Sequence, residues 1–199
     1  MAKERLKSPR ARMFVALDLP ERVRGELGAW SGAALVDPAL RPVRPESLHI
    51  TMAFLGYRPE KDAERVAAAV EECAGPAPSV ELGDPVGRPA RKPRLFALPV
   101  VSPGTETMQA RLAELLVAER LYEPEKRPFW PHVTVARVRT AERRTRRPMR
   151  VETPPKKLPP GLSEAFHGVR LTLYRSELQP SGAHYVPLAQ VELPGAGQQ

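Results

Sequence analysis

LHITMAF, residues 48–54, and PHVTVAR, residues 131–137, are two versions of one pattern. Aligned on their histidines they read His49-Ile50-Thr51-Met52-Ala53 and His132-Val133-Thr134-Val135-Ala136, 83 residues apart. Apolar and β-branched residues at alternate places predict strands, in which residues two apart share a face. His49 and Thr51 then project together while Ile50 and Met52 face a core. His132 and Thr134 do the same, with Val133 and Val135 behind them. A single histidine on a strand has an ordinary structural explanation. Two such strands, using two of the chain's four histidines, predict a cleft where two imidazoles and two hydroxyls meet.

That combination suits concerted acid–base chemistry. A neutral imidazole takes a proton from a nucleophile while an imidazolium gives one to a leaving group, and both forms coexist near pH 7. Threonine hydroxyls are compact donors for an oxyanion, as expected where charge builds on a phosphoryl group. In-line displacement at phosphorus needs a proton handler on each side, which the pair supplies. A metal site is the competing reading. It is disfavoured because threonine is a poor ligand and neither motif contains Asp, Glu or Cys; no metal or other cofactor is expected.

Working outward, Met13–Asp18 (MFVALD) predicts a strand closed by Pro20 at a helix start, with Val23, Leu27 and Trp30 on one helical face. The proline-rich DPALRPVRP leads into the first histidine strand, Ser47–Gly56. Pro59–Ala74 is an amphipathic helix ended by Gly75, with Cys73 on its apolar stripe as a small core residue. Strands around Ser79–Gly83 and Arg94–Val101 flank a Pro/Arg-rich turn. A helix with Thr105 as N-cap runs to Leu121, and the second histidine strand spans His132–Val138. Strands at Val169–Glu177 and His184–Leu193 close the chain. The order β-α-β-α-β-β-α-β-loop-β-β roughly repeats, with a helix before each histidine strand, predicting an α+β protein of two facing lobes.

The net charge of +8 is unevenly placed. Residues 1–12 carry +4 and residues 139–157 carry +6, leaving −2 for the rest. The expected organisation is a basic tail (1–12), one bilobal domain (13–193) with a basic, proline-studded mobile loop at 139–160, and a flexible end (194–199). Basic segments attract polyanions such as RNA at long range. A solvated loop without a partner is the alternative. The single cysteine excludes an internal disulfide framework and a cysteine-rich zinc site. No apolar run is long enough for a bilayer and no signal-peptide pattern opens the chain, so a cytoplasmic protein is expected; nothing demands more than a monomer.

The blocks MFVALDLP, LHITMAFLG, RPFWPHVTVAR and LYRSELQPSGAHYVPL, in this order from about Met13 to Leu193, resemble the 2H phosphoesterase superfamily. They look most like its RNA 2′,3′-cyclic phosphodiesterase branch, also called 2′-5′ RNA ligase or LigT-like. The resemblance implies two pseudo-symmetric antiparallel-sheet lobes with outer helices around a central cleft. It implies a metal-independent reaction in which His49, Thr51, His132 and Thr134 are catalytic. The implied substrate is RNA ending in a 2′,3′-cyclic phosphate, opened by water to a 2′-phosphate. By analogy His49 protonates the leaving 3′-oxygen and His132 activates water, although the sequence alone permits the reverse.

Three further residues match family positions. Arg137 ends the second motif and suits phosphate, but simple alternation turns it away from the face of His132 and Thr134; it contacts phosphate or serves structure. Phe14 borders the base or belongs to the core, and Tyr185 lines the cleft. His167 and His184 fall outside the motif and are read as non-catalytic. Other functions stay open: 2′-5′ ligation, hydrolysis of a small cyclic nucleotide such as ADP-ribose 1″,2″-cyclic phosphate, or RNA binding without turnover, against which two titrating histidines argue.

Overall fold

The structure, a computed structural model, describes residues 9–141, 147–179 and 182–195. Ten strands and three helices follow in the order β1 (Arg10–Asp18), α1 (Glu21–Ala34), β2 (Leu40–Pro42), β3 (His49–Pro59), α2 (Ala63–Cys73), β4 (Ser79–Leu82), β5 (Val86–Arg88), β6 (Leu95–Val101), α3 (Pro103–Ala118), β7 (His132–Val138), β8 (Phe166–His167), β9 (Arg170–Gln179) and β10 (Gly182–Glu192). The strands form an open, antiparallel sheet ordered β10-β9-β1-β3-β7-β6-β4-β8, with β2 on β7 and β5 on β6.

The two expected lobes are the halves of this sheet, β10-β9-β1-β3 and β7-β6-β4-β8. They join through one residue pair, Ile50 against Val133, the centres of the two His-x-Thr motifs. Beyond that pair β3 and β7 part, and the far end of β7 is taken by β2, from Leu40 against Val138 to Pro42 against Ala136. Strands that touch once and diverge leave a cleft between them. Ile50 and Val133 are fully buried. They belong to one apolar cluster with Met13, Val15, Leu17, Met52, Val135, Leu171 and Leu173 of the sheet and Val66, Val70, Leu112 and Leu116 of α2 and α3. Each such side chain contributes about 1.5–3 kcal/mol on burial, so the seam is rigid where the motifs meet.

Several local expectations are corrected. β1 starts at Arg10, not Met13, because Arg10–Arg12 continue the ladder against Tyr57–Pro59; those residues are sheet, not tail. α3 is capped by Ser102 rather than Thr105: Ser102 Oγ accepts the Thr105 N–H at 3.2 Å, and Pro103 opens the helix where no N–H is needed. The Pro/Arg-rich turn contains β5, and the proline-rich connection contains β2.

The described part of the basic loop is also held in place where its composition predicts mobility. Arg143, Arg144 and Arg146 lie outside the described residues. Residues 147–160 are tied down from several directions. The buried Asp37 carboxylate accepts the N–H groups of Ala39 (2.8 Å), Glu152 (2.7 Å) and Thr153 (2.7 Å). Trp30 Nε1 of α1 donates to the Lys157 carbonyl at 3.1 Å, and Asp84 accepts from Leu158 N–H at 3.1 Å. Leu158 and Leu162 are buried beneath. Composition could not reveal this because the anchors are single carboxylates far away in sequence. Among the described residues no helix is long and apolar enough to cross a membrane.

Candidate active site

The burial sequence of β3 from His49 to Leu55 and of β7 from His132 to Val138 is the same: half-buried, buried, half-buried, buried, buried, exposed, half-buried. The doubled buried place marks a bulge in each strand. Opposite β1, Val15 pairs with Ala53 and Ala16 with Thr51, so Met52 is the extra residue. Opposite β6, Phe96 pairs with Ala136 and Ala97 with Thr134, so Val135 is the extra residue. A bulge puts two consecutive side chains on one face and resets the alternation beyond it. Phe54 and Arg137, one residue after each doubled place, therefore return to the cleft face.

This resolves the objection to Arg137. It lines the same cavity, about 420 Å³, as His49, Thr51, His132 and Thr134. Phe14 and Tyr185 line it as well, so the structure brings together all seven residues singled out from the sequence. Sequence reasoning missed Arg12 and Arg41, which share the lining with Phe54, the residue that ends the first motif where Arg137 ends the second. Composition assigns Arg12 to the tail and Arg41 to a linker, and only the ladders of β1 and β2 carry them to the site. His167 and His184 are not among the lining residues.

Both imidazoles are held in the same way. His49 Nδ1 donates to the Ser47 carbonyl at 2.8 Å, and His132 Nδ1 donates to the Trp130 carbonyl at 2.7 Å. A carbonyl only accepts, so in each ring Nδ1 carries the proton and Nε2 is the free base. His49 Nε2 accepts from the Thr51 hydroxyl at 3.1 Å. The residue two before each histidine, not recognisable by its type, thus fixes both tautomers.

The walls differ. Phe14 lies 5.0 Å from the His49 ring, 5.3 Å from Tyr174 in a stacked pair and 4.9 Å from Tyr185 edge-on. Tyr185 meets His49 edge-on at 5.4 Å. Tyr174 is anchored behind this cage by Asp18, which is buried and also accepts from Thr172 Oγ1 at 2.8 Å and Arg170 Nε at 3.1 Å. Burial raises the Asp18 carboxyl above its ordinary range against the pull of those donors. Burial, with Asp18 beside it, pushes Tyr174 up to about 12, so its hydroxyl stays a donor. On the other side Trp130 stacks on His132 at 4.2 Å, and the Arg88 guanidinium sits 4.7 Å over the Trp130 ring.

Burial lowers both histidines. For His49 the loss of solvation dominates, the Ser47 carbonyl opposes it, and the positive neighbours His132 and Arg137 add to it, bringing it down to about 4. His132 is lowered by burial and then by Arg137 and Arg88. A charge on His132 therefore disfavours a second charge on His49. The field that disfavours imidazolium favours an anion, and a phosphate beside either Nε2 restores its proton affinity. Among the described residues no three His, Cys, Asp or Glu side chains are grouped to hold a metal ion. The donor set of imidazoles and hydroxyls ringed by Arg12, Arg41 and Arg137 suits an anion rather than a cation.

A family model described as the 2′-5′ RNA ligase superfamily matches residues 19–178. An RNA 2′,3′-cyclic phosphodiesterase of Thermus thermophilus is 30% identical over 195 residues, covering 92% of this chain and 91% of the relative. One from Escherichia coli is 28% identical over 180 residues, covering 89% and 93%. Among solved structures, TT0787 of Thermus thermophilus superposes with a TM-score of 0.74 at 29% identity over 92% of this chain and 97% of that one. Escherichia coli LigT complexed with 3′-AMP superposes at 0.73 with 26% identity over 94% and 99%.

Proposed function

This chain belongs to the 2′-5′ RNA ligase superfamily, and on that premise we propose that its cleft hydrolyses an RNA-terminal 2′,3′-cyclic phosphate to a 2′-phosphate. The observation that carries the reading is the matched pair of imidazoles, each with Nδ1 tied to a backbone carbonyl and both facing one cavity with two threonine hydroxyls. Relatives named RNA 2′,3′-cyclic phosphodiesterase support the substrate class, and the 3′-AMP complex of the Escherichia coli structure supports a nucleotide-sized ligand.

In this mechanism water attacks phosphorus in line with the bond to O3′. His132 Nε2 takes the water proton, and His49, carrying a proton on Nε2, gives it to O3′ as the P–O3′ bond breaks. The 2′-phosphate stays on the ribose. The aromatic cage supports this assignment: Phe14 and Tyr185 lie beside His49, so a nucleoside against them brings its own oxygen, the leaving group, to that imidazole. Thr51 and Thr134 donate to the non-bridging oxygens, and Arg137 offsets their charge. Each proton transfer is worth about 10²–10⁴-fold in rate. The same geometry run with an RNA hydroxyl in place of water describes 2′-5′ ligation.

The test is turnover of 2′,3′-cyclic nucleotides and of RNA bearing that end, in EDTA, by the wild type, His49→Ala and His132→Ala, with the product isomer identified. Chelator-resistant formation of the 2′-phosphate is expected, with each variant slowed at least about 10²-fold. A 3′-phosphate product would reverse the leaving group, and activity abolished by chelator would overturn the mechanism.

A further inference from the structure

Beside the main cleft lies a smaller depression, about 80 Å³, whose lining includes Arg41, Arg44, Ser47, Arg137 and Tyr185. It has room for a group of a few heavy atoms, against about 30 Å³ for one water. Arg41, Ser47, Arg137 and Tyr185 line both cavities, so the two open into each other within the span of one small ligand.

Its charge arrangement is unusual. Arg41 and Arg137 are direct cross-strand partners of β2 and β7, and like charges placed opposite each other destabilise a ladder. Acidic neighbours normally relieve such a pair. Here no described carboxylate makes an ion pair with Arg41 or Arg137, and no Asp or Glu lines the depression. Arg44 adds a third guanidinium, held by Glu46 through Nε at 3.5 Å. Two adjacent guanidiniums without a counter-ion, at the mouth of a small hollow, are complementary to an anion with several oxygens.

We propose that this depression is a second phosphate subsite, taking the phosphate on the 5′-oxygen of the terminal nucleotide, with Arg41 as its principal contact. The proposal rests on the reading of the cleft as a site for a cyclic-phosphate RNA end. The scissile phosphate lies between the histidines and the nucleoside lies against Phe14 and Tyr185. The next phosphate within one nucleotide's reach is the one on the 5′-oxygen. It is a terminal phosphomonoester in a 5′-phosphorylated mononucleotide and the internal phosphodiester in longer RNA. Arg137, lining both cavities, stands between the two phosphates. The subsite makes the enzyme selective for RNA ends over unphosphorylated nucleosides without reading any base.

The experiment compares three substrates, a 2′,3′-cyclic nucleoside phosphate, its 5′-phosphorylated form and a dinucleotide with the same end, for wild type and Arg41→Gln. Arg41 is exposed, so folding is not at issue. In the wild type both substrates with a 5′-phosphate are expected to exceed the first in kcat/KM by about 10- to 100-fold, the size of a charge-assisted contact. R41Q is expected to erase that advantage, its loss on the two 5′-phosphorylated substrates exceeding its loss on the first by that same factor. Titration calorimetry with the corresponding 2′-phosphate nucleotides reads the same increment in Kd without turnover. Equal loss on all three substrates, no loss on any, or loss only on the dinucleotide overturns the subsite. Failure of the wild type to turn over any of them refutes the hydrolytic reading instead, and the binding increment still decides the subsite.

Discussion

Replacing His49 by asparagine removes a titrating ring but leaves an amide N–H able to donate to the Ser47 carbonyl, as Nδ1 does at 2.8 Å. Burial and the positive neighbours bring His49 from 6.5 to about 4. The unfolded chain therefore binds this proton more readily than the folded one between those two values. Folding stability conferred by neutral His49 is complete above about pH 6.5 and is lost as pH falls toward 4. At about 1.4 kcal/mol per pH unit the full displacement is worth about 3 kcal/mol. Partial access of the ring to solvent reduces this to roughly 1–2 kcal/mol. Urea unfolding from pH 7.5 to 4.5, followed by far-UV circular dichroism, measures it. The wild type is expected to lose that much more stability than His49→Asn over this interval. Carboxylates and His132 contribute equally to both proteins and cancel in the comparison. A 2′-phosphate nucleotide should stabilise the wild type more at pH 5.5 than at 7.5, because the anion pulls the imidazole back toward its charged form. Parallel loss of stability in the two proteins would refute the reasoning, since His49 would then titrate like an ordinary histidine.

Arg88→Gln removes one of the positive charges that lower His132, so the acid limb of the kcat/KM profile is expected to move upward by roughly a few tenths of a pH unit, the size allowed by an exposed, screened charge. Asp37→Ala deletes the acceptor shared by Ala39, Glu152 and Thr153, and hydrogen exchange at Glu152 and Thr153 is expected to accelerate about tenfold or more while the amides of β3 and β7 keep their protection. Gly168→Ala places a Cβ 2.6 Å from Cδ1 of the fully buried Leu17, which is expected to cost about 1–3 kcal/mol in urea unfolding.

What the sequence made legible follows the reach of each signal. Alternation along a strand is local, and it placed His49, Thr51, His132 and Thr134 on one face with Ile50 and Val133 behind them. The bulges at Met52 and Val135 are decided by the ladder with β1 and β6. Alternation taken alone consequently turned Arg137, and with it Phe54 at the matched position, the wrong way. Arg12 and Arg41 sat in segments whose composition suggested tail and linker, and they reach the cleft only through non-local pairing. Asp18, Thr172 and Tyr174 form their network across β1 and β9, 154 residues apart between Asp18 and Thr172, a separation no window of sequence can bridge. The carbonyls that fix the two tautomers are backbone groups, invisible to residue type.

The repeat itself now reads differently. The two motifs share a backbone device, strand then bulge, which aims the residue five places after each histidine back into the cleft. At those matched positions stand Phe54 and Arg137. On the side of the first lie Phe14, its cross-strand partner, and Tyr185, the aromatic side of the cleft around His49, and Arg12 is laid over the Phe54 ring at 4.9 Å. Around the second lies Arg41, its cross-strand neighbour. A symmetric frame thus carries an asymmetric lining, one half suited to a planar base and ribose and the other to phosphate oxygens. Two equivalent imidazoles cannot by themselves distinguish the attacking side from the leaving side. In the proposed mechanism the lining does so, because a nucleotide seated with its rings on the aromatic half would direct its own oxygen to His49 and leave His132 for water. On that proposal, exchanging the roles of the histidines would require moving Phe14 and Tyr185, not altering either imidazole.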